Sequence, residues 1–385
     1  MQNERVEVIV FGQHCLNTLG QIRSLRELGL SPDVVWVNGD DHSPRGSRNI
    51  RHFFAFDTVE EGFSFIRRHY CDDAVRYIIL TDSDAVVSLL NRHYDALRPR
   101  FSFFNAGENG RLSEFMPKWT QCQLAERSGM RVPRSELVKK GDLPRALTYP
   151  IFTKSPDSLG RSWKKNALIC RNQEELLEAY RTIDTDSVLL QEFVEKDNEV
   201  AIQGISLDGG AIVYAPIQGE YLRLQDGGFG TWKRNEPYHL GDGLMACIQK
   251  MLAEIRYTGV FEVEFLRDRA GELYFLEFNF RFTQYNLALT RMGHNFAEYY
   301  IDSLQGKALS FGPADIPPQT VINEPKDFRE YVKPAHVRWK DWLRDLRQSD
   351  HYYLFDRNDK AYVFLYLCRS VTRRLKIRFK HLFSK

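Results

Sequence analysis

The chain has 385 residues, 43% hydrophobic and 27% charged, with Lys+Arg 53 against Asp+Glu 51 and a formal net charge of +2. That is enough chain for two or three domains with real cores in an ordinary globular composition, so disorder, collagen and coiled coil are excluded. The longest apolar run, Ala361 to Cys368, falls far short of the roughly 20 residues of a membrane span, and no basic-then-apolar leader opens the sequence, so a cytoplasmic protein is expected.

Six scattered cysteines without a CxxC pair and ten histidines without ligand spacing argue against a disulfide framework and a structural zinc site. In chain order, Val6 to Phe11 reads as a buried strand, and the turn after it leads into Leu16 to Leu28, whose apolar spacing is helical. Strands at Asp33 to Val37 and Tyr77 to Leu80 and a helix at Ala85 to Leu97 continue the alternation, which predicts parallel βαβ units in a small doubly wound domain. The first turn, Gly12-Gln13-His14-Cys15, lacks the GxGxxG that cradles a dinucleotide pyrophosphate, so a Rossmann-like shape without NAD binding is expected.

A helix carrying Lys118, Leu124 and Ala125 ends at Gly129. A strand from Pro150 to Lys154 runs into the small-residue loop Ser155 to Ser162, and the helix Gln173 to Ile183 and strand Ser187 to Phe193 complete a compact α+β unit. Glu199 to Leu207, Ala211 to Pro216, Gly259 to Leu266 and Leu273 to Phe278 predict one antiparallel sheet, with the helix Gly243 to Arg256 between them.

Three constellations carry chemistry. In the hairpin 260–281, strand alternation puts Glu277, Asn279 and Arg281 on one face, and Glu264 can oppose them across the turn. Two carboxylates and an amide carbonyl form a hard oxygen set suited to Mg2+ carrying phosphate oxygens, and an arginine one step further suits a transferring phosphoryl group. A solvated hairpin face with Glu and Arg pairing across it fits the same pattern. Lys154, ahead of the loop Ser155 to Arg161, can offer an ammonium and backbone N–H groups to polyphosphate; GxxxxGK[ST] is absent, and an ordinary surface loop is the alternative. The end of the strand Leu189-Leu190-Gln191-Glu192-Phe193-Val194, followed by Glu195 and Glu199, can read an adenine edge and hold ribose hydroxyls, or be a plain strand before a charged turn.

In this order and at these separations the pieces resemble the ATP-grasp superfamily, over roughly residues 5 to 310. The resemblance implies an α/β and α+β protein of ATP-grasp fold: an N-terminal Rossmann-like domain over 1–112, a lid subdomain over 113–195, a large antiparallel-sheet catalytic subdomain over 196–312 and a C-terminal extension over 313–385 with a basic end. It implies that Lys118 and Lys154 are the two ATP lysines, with Ser155 and Gly160 in the flap, that Gln191, Glu192 and the backbone of Phe193 and Val194 hold adenine, and that Glu199 holds the ribose. Glu264, Glu277 and Asn279 become ligands of Mg2+ or Mn2+, and Arg281 faces an acyl phosphate. Pro117 departs from the acid that often precedes the first lysine, and the flap has the single Gly160 where many members have several glycines. Members of this organisation are ATP-dependent carboxylate–amine ligases, whose task is positioning and charge neutralisation and needs no Ser, Cys or His nucleophile.

Phe278 to Asn286 with Thr290 and Gly293-His294-Asn295, the run Leu80-Thr81-Asp82-Ser83-Asp84 and the pair Ser47-Arg48 are similar to amino-acid ligases of the D-aspartate ligase type. This implies an amino acid as the activated carboxylate, with an amine on another amino acid or on a cell-envelope precursor as acceptor. The loop Gln218 to Trp232 offers Glu220, Arg223 and a Gly227-Gly228 hinge; Arg223 is expected to hold a carboxylate as a catalytic residue, or to lie in an exposed Gly-rich hairpin. An ATP-grasp carboxylase or nucleotide-pathway ligase and a non-catalytic nucleotide-binding module are the alternatives. The partners expected are a small-molecule amino acid and an amine acceptor, with a homodimer left open and no nucleic acid.

The end of the chain breaks the charge balance, since Arg369, Arg373, Arg374, Lys376, Arg378, Lys380 and Lys385 occur without any acid. Val371, Leu375, Phe379, Leu382 and Phe383 fall at helical spacing. A basic amphipathic helix is expected outside the catalytic body, after a linker near 312–334. It contacts the anionic inner face of a membrane through 369–385, or packs on the body through its apolar stripe.

Overall fold

A computed structural model describes residues 5–37, 43–156, 166–224 and 230–383, with side chains as far as 373. The first layer is a parallel sheet of β1 (Arg5–Gly12), β2 (Asp33–Val37), β3 (Phe53–Phe56), β4 (Val75–Thr81) and β5 (Phe101–Ser102), in the order β3-β2-β1-β4-β5. Helices α1 (Cys15–Glu27), α2 (Val59–His69) and α3 (Asp84–Arg92) connect its strands. From Val8 to Phe11, β1 is a continuous apolar run because both its faces are covered there. Val8 and Val10 pack with Ile22 and Leu25 of α1, while Ile9 and Phe11 pack with Phe63 and Ile66 of α2. The Asp82 carboxylate fills the turn after β1, accepting from the N–H groups of Gln13 and His14 and from Thr18 Oγ1.

Next comes α4 (Lys118–Ser128), which stops at Gly129, whose φ of 100° is the left-handed conformation that ends a helix without a Cβ penalty. It precedes a small antiparallel sheet of β6 (Ser135–Lys139), β7 (Ile151–Lys154), β8 (Leu168–Cys170) and β9 (Ser187–Glu192), in the order β6-β9-β7-β8. α5 (Gln173–Thr182) covers this sheet, burying Leu176 and Tyr180 against Ile151, Val188 and Leu190.

The largest layer is a seven-stranded sheet of order β14-β13-β10-β11-β12-β15-β16. Its strands are β10 (Lys196–Leu207), β11 (Ile212–Arg223), β12 (Trp232–Pro237), β13 (Gly259–Asp268), β14 (Leu273–Asn279), β15 (Gln319–Ile322) and β16 (His351–Tyr352). Phe261, Val263 and Ile202 turn into a core with Ile248, Met251 and Leu252 of α6 (Asp242–Ile255). By alternation, Glu262 and Glu264 then face away from that core. Further helices are α7 (Asn286–Arg291), α8 (Trp339–Gln348) and α9 (Lys360–Phe383).

The segment expected to be a linker near 312–334 is partly sheet. β15 pairs antiparallel with β12, and β16 pairs parallel with β15, so the open hydrogen-bonding edge of β12 is covered by the chain's own C-terminal segment. That segment is tied back to the N-terminal layer: the buried Arg23 guanidinium lies 3.5 Å from Asp356 and 3.3 Å from Asp359, and Ser47 Oγ donates to Asp359 at 2.8 Å. Among the described residues no helix is long and apolar enough to cross a membrane.

Candidate active site

The β13–β14 register sets Glu264 opposite Glu277 and Glu262 opposite Asn279. Three carboxylates and an amide therefore share one face at the edge of the large sheet. Just past β14, the Arg281 Nη2 donates to Asn279 Oδ1 at 3.0 Å and its Nε donates to Asp84 at 2.8 Å. Asp84 opens α3, whose N-cap Ser83 accepts from the Val86 N–H. The Phe282 N–H is held by the Thr81 carbonyl at 3.2 Å, so the end of β4 pins the strand extension that carries Arg281.

From another layer, Gln121 of α4 clamps β14 through its amide. Its Nε2 donates to the Phe278 carbonyl and its Oε1 accepts from the Phe278 N–H, each at 2.9 Å. One turn earlier on the same helix, Lys118 places Nζ 2.8 Å from Glu277 Oε2. The Lys118 N–H donates to the Pro156 carbonyl at 2.9 Å, which draws the end of β7 to the same place. Lys154, the last residue of β7, donates to Gln191 Oε1 at 2.7 Å, and the Gln191 amide in turn donates to Ser135 Oγ. Ser155 is buried beside it.

Electrostatics couples these groups. The Lys118 ammonium holds the Glu277 carboxyl down at about 2, so Glu277 is ionised across the physiological range. Burial alone would push Lys118 down, but Glu277, Glu264 and Asp84 outweigh it and raise it above its ordinary value. Lys154 lacks such a carboxylate contact; burial first and the Lys118 charge second push it down to about 8. Glu264 is raised well above the carboxylate range by burial and by the neighbouring Glu262 and Glu277.

Among the described residues no cluster of three His, Cys, Asp or Glu side chains suited to a metal ion occurs. Glu264, Glu277 and Asn279 are instead a two-carboxylate and amide set, which fits Mg2+ because that ion keeps waters and substrate phosphate oxygens in its shell. The carboxylate repulsion that lifts Glu264 is the kind a divalent cation relieves.

A cleft of about 390 Å³ opens at the end of β9, lined by Glu192, Phe193, Val194 and Glu195 and by Asp268, Arg269, Ala270 and Tyr274. The Phe193 N–H is given to the Pro150 carbonyl at 3.2 Å, so this amide is not available to read a base in this arrangement. Glu192 is bridged to Arg134 at 2.7 Å, and Glu199 to Lys196 at 2.5 Å. Glu199 nevertheless acts electrostatically on Lys154, Lys233 and Glu264. Gly160, Gly227 and Gly228 lie outside the described residues.

Arg223 does not have the role expected of it. β11 continues through Glu220 to Arg223, where a loop was expected, and the Arg223 guanidinium is buried between Asp327 and Asp345, which accept from its two terminal nitrogens. Trp232 and Tyr331 stack on it, with ring centres 5.2 and 5.6 Å away. Both terminal nitrogens are taken by the fold, so the two-pronged grip expected for a substrate carboxylate is already spent on Asp327 and Asp345. Glu220 is likewise paired, with Arg267 at 2.5 Å.

Two residues of the site escaped the sequence reading. Asp84 lies in the run Leu80 to Asp84, and nothing in that run points to its pairing with Arg281. Lys233 is fully buried on β12, 4.0 Å from Glu262 and 5.5 and 5.4 Å from the ring centres of Tyr221 and Tyr285. Alternation puts Lys233 and Asn235 on one face, but only the pairings of Asn235 with Gly219, Gly219 with Ala201 and Ala201 with Glu264 show that this is the carboxylate face.

No family model matches the chain. A curated relative, the 2-oxoglutarate carboxylase small subunit of Hydrogenobacter thermophilus, is 23% identical over 254 residues, covering 59% of this chain and 51% of its own. The chain thus spans about half the length of that relative. Among solved structures, N5-carboxyaminoimidazole synthetase from Staphylococcus aureus superposes with a TM-score of 0.64 at 15% identity, covering 86% of each chain. L-amino acid ligase from Bacillus licheniformis gives a TM-score of 0.62 at 15% identity, covering 83% of this chain and 79% of its own. Together with the three layers and the cleft between them, these likenesses show that the chain has the ATP-grasp fold.

Proposed function

We propose that the chain is an ATP- and Mg2+-dependent carboxylate–amine ligase that transfers the γ-phosphoryl group of ATP to an amino-acid carboxylate, leaving ADP, and joins the acyl group of the resulting acyl phosphate to an amine, with phosphate as the leaving group. The observation that carries this reading is the convergence of Lys118, Lys154, Glu264, Glu277, Asn279 and Arg281, from separate layers of the fold, into one interacting cluster. Lys118 and Lys154 neutralise the polyphosphate, and the cleft at Glu192 to Val194 takes the base. Glu264, Glu277 and Asn279 would hold Mg2+, which would supply neutralisation of polyphosphate charge when bound. Arg281, oriented by Asp84, faces the carboxylate being activated, where charge spreads over several oxygens. The acceptor amine is that of a small molecule or of a group displayed at an anionic membrane.

ADP release from purified protein, measured against panels of amino acids and against bicarbonate and nucleotide-pathway substrates, tests the reading. Amino-acid-dependent release supports it; release that depends only on bicarbonate assigns the chain to the carboxylase chemistry named for the Hydrogenobacter relative, and ATP binding without turnover overturns catalysis altogether.

Lys154→Ala raises the KM for ATP by about tenfold or more, with a smaller loss in kcat, because one phosphate-facing cation is gone. A normal apparent affinity removes Lys154 from the ATP site. The sign of the pH dependence follows from its lowered value: Lys154 is charged below about 8 and neutral above it, so the KM for ATP climbs as pH rises through 8. In Lys154→Arg this limb is flat.

Asp84→Asn leaves the KM for ATP little changed but lowers kcat/KM for the carboxylate substrate by about tenfold, because Arg281 loses the partner that orients it. Partial rescue by Asp84→Glu distinguishes this positioning role from a loss of folding.

A further inference from the structure

We propose that the outward face of α9 is a docking surface for an anionic lipid bilayer, an interaction independent of the chemistry in the cleft. Among the described residues, the four large apolar side chains that are more than half exposed are Trp339 at 60%, Phe364 at 71%, Leu367 at 53% and Val371 at 57%. Three of them lie on α9, at spacings i, i+3 and i+7, within roughly a 60° sector of the helix.

The opposite side of the same helix is the one that holds the body. Tyr362 is fully buried, packs with Leu19 and Leu354, and donates to the Ser43 carbonyl at 3.1 Å. Val363 and Tyr366 join that cluster, Arg369 donates to the same carbonyl at 3.1 Å, and the Leu365 side chain closes over Gly46. Over residues 360–373 α9 is therefore anchored through one face, with Phe364, Leu367 and Val371 exposed on the other; Leu375, Phe379, Leu382 and Phe383 of the stripe expected from the sequence lie outside the described side chains. The bare stripe also begins about two turns before the one expected from the sequence, at Phe364 instead of Val371.

Charge selects the occupant. From Lys360 to Lys385 there is no Asp or Glu, while Lys360, Arg369, Arg373, Arg374, Lys376, Arg378, Lys380 and Lys385 are cationic. An anionic lipid surface offers both what the apolar stripe needs and the counter-charge, each basic side chain gaining from a negative surface potential. A second copy of α9 laid on the first would cover the stripe but bring two acid-free segments together, which like-charge repulsion disfavours.

The test is co-sedimentation of the full chain with phosphatidylglycerol-containing phosphatidylcholine vesicles and with pure phosphatidylcholine vesicles, over a salt series. The result expected is binding at least about tenfold stronger to the anionic vesicles, weakened by salt, and lowered on the order of tenfold by the triple replacement Phe364→Ser, Leu367→Ser and Val371→Ser. These side chains are solvent-facing, so thermal melting and ADP release of the triple variant stay unchanged. Equal binding to neutral and anionic vesicles overturns the proposal, as does undiminished binding of the triple variant, which would assign the attraction to charge alone. A concentration-dependent dimer seen by light scattering, lost in the triple variant and unaccompanied by vesicle binding, overturns it in favour of a second copy.

Discussion

Glu277→Gln lowers Mg2+-dependent ADP release by about a thousandfold and leaves the ligand-free protein folded. The replacement keeps the shape of the side chain and removes its charge. Three interactions change at once. The set proposed to hold Mg2+ loses one of its two carboxylates, Lys118 loses the partner that raises it, and Glu264 loses one source of the repulsion that lifts it. The backbone clamp from Gln121 to Phe278 does not involve the carboxylate, so β14 stays in register and the thermal melt of the ligand-free protein is little changed. A Mg2+ titration of ADP release at saturating ATP is the measurement. Unchanged turnover and unchanged Mg2+ dependence would take Glu277 out of the reacting site.

Arg223→Ala behaves in the opposite way, acting on stability before activity. Removing the guanidinium leaves the buried Asp327 without a counter-charge and Asp345 with only the weaker contact from Arg344 at 3.4 Å, a change that costs about 3 kcal/mol and lowers Tm by roughly 5 °C. It also strips the cation from between Trp232 and Tyr331. Because Thr231 Oγ1 also donates to Asp327, the start of β12 is loosened with it. The melt of the ligand-free protein is the direct readout, and Arg223→Lys recovers only part of the loss, since an ammonium cannot span two carboxylates with a planar fork. If Arg223 held substrate, the melt would be unmoved and the KM for the carboxylate substrate would rise instead.

The contrast between Glu277 and Arg223 shows which signals are local. Glu264, Glu277, Asn279 and Arg281 lie in one hairpin, where a side-chain period of two and a single turn decide which residues share a face, and the pairing is the one that alternation predicts. Arg223 was read from a Gly-containing stretch as a substrate contact, but the carboxylates that claim it are 104 and 122 residues further along the chain. No periodicity within β11 refers to them. Asp84 and Arg281 are 197 residues apart, and Lys118 and Glu277 are 159 apart. Such pairings follow from how the layers stack.

The C-terminal segment makes the same point. Its charge imbalance and helical spacing are visible in composition, yet 319–322 reads as linker and 351–352 only as part of a C-terminal extension until the unpaired edge of β12 is seen to need them.

What the sequence determined by itself is what short-range geometry encodes: alternating strands and helices in the first hundred residues, the acid–amide–arginine face of the hairpin, and the absence of acids from Lys360 onward. Tertiary structure alone decided which cations meet which carboxylates, that Arg223 is a buried strut, that Lys233 faces the carboxylates, and which side of α9 is left bare. The physical reason is that charge pairing and burial depend on distances in space. A chain that returns after a hundred residues or more to complete a site leaves no periodic trace of that return in its sequence.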